Sequence, residues 1–193
     1  GEPDLHYRHL NKPTFAILRG SFADTKGNIS CEEESCYAES LQVAQTVHRN
    51  GGKVFVQVKA VVEHGSLDAR RIRIPGTIVD YVIPVSDLQY HKMTTFRDFE
   101  PSLCGAQRIY LKQENQSSAL DERRIIGRRA AMELRSGAVI NLGVGIPQGV
   151  SAVVAEEGVS EEVTLSLESG LIGGIPLSGS EFGAAFNPEC MLD

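Results

Sequence analysis

What most restricts this chain is a unit that recurs along it: apolar residues at helical spacing, then a glycine, then a short run of β-branched residues. From Ser35 to Asn50 the side chains of Ala38, Leu41, Ala44 and Val47 fall at every third position, and Gly51-Gly52 closes the stretch. That spacing predicts a helix with one apolar stripe and a glycine stop. Acidic Glu32 to Glu34 ahead of it suit the positive end of a helix dipole. Val54 to Val62 then has the β-branched content of a buried strand. The unit returns further on, where Asp121-Glu122 precedes a basic stretch, Ile125, Ile126, Ala130 and Leu134 form the apolar face, and Gly137 ends the helix. Ala138 to Leu142 reads as the next strand, Pro147 to Glu157 as a helix, and Val163 to Leu167 as a strand. Helices alternating with buried strands imply an α/β layered fold.

The remaining segments fill in this plan. Phe15 to Gly20 reads as a short buried strand, and Asp24-Thr25-Lys26-Gly27-Asn28 has turn chemistry at nearly every position. Pro75-Gly76 marks a turn, and Ile78 to Pro84 a strand stopped by proline. Residues 86–107 carry no period, and the polar run from Lys112 to Ser118 is the best linker in the chain. The expected division is therefore 1–111, a linker at 112–118, and 119–193.

Charge and composition remove several function classes. Lys+Arg number 19 against Asp+Glu 25, a formal charge of -6, which lacks the basic excess that binding a phosphate backbone requires. Nucleic acid is not an expected partner. No apolar stretch approaches ~20 residues, and Gly1 to Lys12 is too polar for a signal peptide, so a soluble, cytoplasmic protein without a membrane partner is expected. Cys31, Cys36, Cys104 and Cys190 are scattered without metal-ligand spacing, as are the five histidines. Reduced structural thiols and no metal site follow. The chain begins at Gly1 rather than Met and stops soon after a glycine-rich loop, so both ends read as cut.

Two glycine-rich turns follow predicted strands: Gly143-Val144-Gly145-Ile146-Pro147-Gln148-Gly149 and Glu168-Ser169-Gly170-Leu171-Ile172-Gly173-Gly174. Ligands in α/β folds collect where strands end. One reading is a Rossmann-like dinucleotide module, with Gly143 and Gly145 in the first turn and Glu168 on a ribose. Gln148 at the third glycine position, Gly149 one place late and Pro147 inside the turn count against it. A second reading makes Glu168 a nucleophile on a rigid strand end, with Gly170 and Gly173 leaving room for substrate. A third is a tight turn that merely exposes an acid.

The loop from Glu168 to Pro176 closely resembles the catalytic-glutamate loop of family I CoA-transferases, in the acetate and propionate CoA-transferase branch. So do Asn141 to Pro147, Ala23 to Ile29, Gly51 to Val58, the Pro75-Gly76 turn and Arg128 to Leu134, all in consistent order. Departures are local: Gln148 and Gly149 after the proline, and Cys31 and Cys36 at a helix start. The resemblance implies two related α/β halves, both incomplete here, with the end of the first joined to the start of the second. It implies that Glu168 attacks an acyl-CoA thioester and becomes a glutamyl-CoA thioester in a ping-pong exchange, with coenzyme A as substrate and neither metal nor redox cofactor. Substrate or CoA binding is expected at Gly143 and Gly145, whose N–H groups precede a helix start that favours negative groups, and at Gly170 and Gly173, which open the space; the alternative for the first pair is that they merely permit the strand-to-helix turn. Acyl-CoA and a short-chain carboxylate are the implied partners, with homo-oligomerisation in the full-length protein. Oxyanion-stabilising groups would lie outside 1–193, leaving this piece inactive alone; a truncated scaffold that only associates with partners is a further alternative. No motif names the acyl group.

Overall fold

The computed structural model describes residues 3, 4, 6, 8, 11–107, 120–174, 176, 177 and 179–185. The expected linker at 112–118 lies outside them. Two compact units divide the chain: one comprises 1–31 with 39–91, the other 32–38 with 92–193. Residues 92–107 therefore group with the second unit, whereas the expected division assigns them to the first.

In the first unit, β1 (Phe15–Arg19), β4 (Lys53–Val58) and β7 (Tyr81–Pro84) form a parallel sheet in the order β1-β4-β7. A second sheet, ordered β5-β2-β3-β6, is built from β2 (Phe22–Asp24), β3 (Ile29–Ser30), β5 (Ala60–Val62) and β6 (Ile72–Ile74). The run from Val54 to Val62, expected as one strand, is thus two strands in two sheets. The break falls at Lys59, whose N–H donates to the Ser21 carbonyl at 2.9 Å. The expected buried strand at Phe15 is buried on one side only: Ala16 is in the core, while Phe15 is 67% and Ile17 85% exposed. With Phe55, which stacks on Tyr81 at 4.7 Å between ring centroids, these side chains share one face of the sheet.

Helix α1 spans Ser40–Arg49, five residues shorter at its start than the spacing predicts. Ala38 sits at φ 35, a left-handed conformation that cannot continue a helix, so Glu32 to Glu34 fall outside the first turn and the expected dipole pairing is absent. Ala44 and Val47 are buried as expected.

Asp24 organises the turn after β2. Its Oδ1 accepts from the Lys26 and Asn28 amides at 2.9 Å each, and its Oδ2 takes the Asn28 Nδ2 proton at 2.8 Å and lies 2.7 Å from His64 Nδ1. Burial acts against the charged form, but the bonds from Asn28, His64 and Lys26 outweigh it and hold the carboxyl far below the usual carboxylate range. Asn28 Oδ1 in turn accepts the Gly76 N–H at 2.9 Å. Gly76 lies so close to Lys26 and Gly27 that a Cβ there would run into backbone.

In the second unit, α2 (Glu122–Ala131) is capped by Asp121, whose side chain accepts from the Arg124 amide at 2.8 Å. Its expected apolar face is corrected in part: Ile125 and Ile126 are about half exposed and Ala130 is exposed, Leu134 just beyond the helix packs on the core as expected, and the buried position is Gly127. The reason is close packing on α3 (Gly149–Glu156), since a Cβ on Gly127 would stand 3.1 Å from the Gly149 carbonyl oxygen. Strands β8 (Val139–Leu142) and β9 (Thr164–Leu167) pair in parallel. Leu142, Val150, Val154, Leu165 and Leu167 make the core beneath them.

Candidate active site

In a parallel pair both strands end at the same edge, so the loops after β8 and β9 emerge together. The register couples Asn141 to Ser166 and Leu142 to Leu167, and the next residues are Gly143 and Glu168. The two glycine-rich turns, read separately in the sequence, are therefore neighbours. Asn141 Nδ2 donates to Ser166 Oγ at 3.1 Å across the last rungs.

Glu168 stands immediately after β9, exposed, at the carboxyl end of the strand. Gly170 N–H donates to the Leu167 carbonyl at 3.0 Å, closing a four-residue turn with Glu168 inside it. The chain then returns along β9: Leu167 N–H bonds the Leu171 carbonyl at 3.0 Å and Gly173 N–H bonds the Leu165 carbonyl at 2.8 Å. A helix does not follow β9, as a mononucleotide-binding unit would have it; a tight hairpin does. Among the described residues, no hydrogen bond or ion pair holds the Glu168 carboxylate.

The four glycines separate by cause. Gly145, Gly170 and Gly173 have φ of 99, 102 and 90, a region where a Cβ is strained, so each is required by the path of its loop. The N–H groups of Gly170 and Gly173 are already used inside the hairpin. Gly143 is different, because it has no positive φ, yet a Cβ there would lie 3.3 Å from Glu168 Oε2. Its missing side chain leaves the space in which the carboxylate sits.

Glu181, the other acid near the end of the described chain, is committed. Its Oε1 accepts from Arg97 Nε and Thr94 Oγ1 at 2.8 Å each, and these bonds, Arg97's first, hold its carboxyl below the usual range. It is not an open nucleophile. Among the described residues no three His, Cys, Asp or Glu side chains gather as a metal site. No described helix is long and apolar enough to cross a membrane.

Residues 1–84 match the family model for coenzyme A transferase. All 193 residues align with the caffeate CoA-transferase of Acetobacterium woodii at 41% identity, covering 36% of that protein. The acetate CoA-transferase YdiF of Escherichia coli K12 is 36% identical over 98% of this chain and 35% of its own length. A crystal structure of YdiF from Escherichia coli O157:H7, a thioester complex with CoA, superposes with a TM-score of 0.74 at 32% identity, over 94% of this chain and 34% of that one. The chain spans about a third of the length of these relatives.

Proposed function

We propose that this chain, which belongs to the coenzyme A transferase family, carries the nucleophile with which the whole protein moves coenzyme A between a short acyl thioester and a carboxylic acid. The observation that carries the proposal is Glu168 itself: an exposed carboxylate on a rigid strand end, uncommitted to any described partner, with the space beside it kept open by Gly143. A relative solved as a thioester complex with CoA supports the same chemistry.

The steps conserve atoms without an added reactant. The Glu168 carboxylate attacks the thioester carbonyl and expels CoA thiolate, leaving an acyl-glutamyl anhydride. The thiolate attacks the Glu168 carbonyl and releases the first carboxylate, leaving a glutamyl-CoA thioester. An incoming carboxylate attacks that thioester and re-forms an anhydride, whose acyl carbonyl the thiolate then takes, restoring Glu168. Each step is a nucleophilic exchange at carbon, so neither a metal nor a redox cofactor is needed. No carbonyl acceptor of the Gly143 and Gly145 N–H groups is found among the described residues, and we assign them to holding negative groups of substrate or CoA at the strand end.

The test is the mass of the full-length protein after incubation with propionyl-CoA. A hydroxylamine-sensitive CoA adduct mapping to Glu168 is expected, and Glu168→Ala should lose adduct and transfer together while its melting temperature stays close to wild type. Glu168→Asp withdraws the carboxylate by one methylene, ~1.5 Å, and should lower the rate by about 100-fold. Transfer by Glu168→Ala would overturn the assignment.

A further inference from the structure

A cavity of about 290 Å³ opens within the second unit, and its lining includes polar Ser35, Thr94 and Glu181 and apolar Met93, Phe96 and Ala184. Two contacts tie it to the Glu168 loop. A Cβ on Gly183, another of its lining residues, would stand 3.5 Å from Ser169 Oγ, and Leu171 packs, as Ala184 does, on the buried cluster of Met93, Leu103, Cys104 and Ala185. Its volume is at the small end of ligand pockets, which suits a short chain rather than a nucleotide.

Among the described residues, Glu181 is the one charged group that lines it, and its cation is shared. Arg97 donates through Nε to Glu181 at 2.8 Å and through Nη1 to Glu100 at 3.3 Å, so one cation answers two carboxylates. Glu181 Oε1 is occupied by Arg97 and Thr94, and its second oxygen offers only acceptor capacity. An uncharged chain, or one bearing a hydroxyl that can donate, is tolerated beside such a wall. A second carboxylate is repelled at short range in a partly desolvated pocket.

We propose that this cavity receives the acyl chain during transfer, and that Glu181 is a specificity-determining residue that selects neutral or hydroxylated monocarboxylic acyl groups against dicarboxylic ones. The inference rests on Glu168 being the nucleophile. It predicts that the full-length protein uses propionyl-CoA over succinyl-CoA by at least about 100-fold in kcat/KM, since like-charge opposition at a few ångströms is worth that order of discrimination.

The experiment compares kcat/KM for propionyl-CoA and succinyl-CoA in wild type and Glu181→Gln, which keeps the shape and the Thr94 bond while removing the charge. The expected result is a preference narrowed about tenfold or more, through a gain on succinyl-CoA. A wild type that uses both equally, or a folded Glu181→Gln with an unchanged ratio, overturns the proposal. If Glu181→Gln does not fold, Ala184→Val tests the same cavity: it should shift preference from butyryl-CoA toward acetyl-CoA, and an unchanged chain-length preference overturns the proposal. The wild-type adduct separates the two readings. Absence of any CoA adduct on Glu168 sinks the nucleophile, whereas an adduct there with an indifferent Glu181 sinks only the acyl pocket.

Discussion

Replacing Gly143 by alanine puts one methyl group where the structure leaves space for the Glu168 carboxylate. The new Cβ would lie 3.3 Å from Oε2, tighter than most real Cβ contacts, so the carboxylate must yield by a few tenths of an ångström. Gly143 has no positive φ, and the atom that must move is the far end of an exposed side chain. Stability should therefore stay within about 1 kcal/mol of wild type, and the smaller conformational entropy of unfolded alanine offsets part of any loss. Activity should suffer more, because a misplacement of 1 Å in a reacting group costs on the order of 100-fold and a few tenths correspond to about tenfold. The assay is single-turnover formation of the Glu168 adduct in the full-length protein, alongside its melting temperature. Gly145→Ala is the contrast: at φ 99 it should lower stability by about 1 kcal/mol or more. Wild-type adduct formation in Gly143→Ala would show that the glycine does not serve the carboxylate. Equal loss of stability in both variants would show that both glycines serve only the turn.

Gly76→Ala should destabilise the first unit by about 2 kcal/mol or more, because its Cβ would meet the backbone of Lys26 and Gly27 rather than a mobile side chain; chemical denaturation measures it. Acid should release the bonds around Asp24. A carboxyl whose folded pKa is depressed contributes stability in full above its unfolded value near ~4 and loses it as pH falls toward the folded value. Melting temperature should accordingly drop below about pH 4 in wild type, and the slope should flatten in Asp24→Asn; equal slopes would remove Asp24 as the cause.

The elements that place the candidate nucleophile were legible in the sequence for a physical reason. Ala138 to Leu142 and Val163 to Leu167 are short apolar runs that end at glycine or at a turn, so their ends, and hence the position of Glu168, need only local information. What makes Gly143 its neighbour is strand register, set across 25 residues by pairing, and no local pattern reports it. The same limit explains Lys59, where a run of β-branched residues divides between two sheets because a tertiary bond to Ser21 turns the backbone. Ile125 and Ile126 satisfied a helical period, but α2 approaches α3 through Gly127, a choice made by close packing rather than hydrophobicity. The stretches around Asp24 and Pro75-Gly76 read as two separate turns; in the fold they are two ends of one hydrogen-bonded knot.

The sheet of β1, β4 and β7 also has an optical consequence. Parallel sheets usually have both faces covered, yet here Phe15, Ile17, Tyr81 and Ile83 meet water on one of them. The chain has no tryptophan, so its near-ultraviolet signal comes chiefly from five tyrosines, one of which, Tyr81, is half exposed and stacked on Phe55. Whatever dries that face changes the polarity around the Tyr81 ring and the access of quenchers to it. Tyrosine emission and iodide quenching therefore report, without any added label, whether this surface is wet or covered.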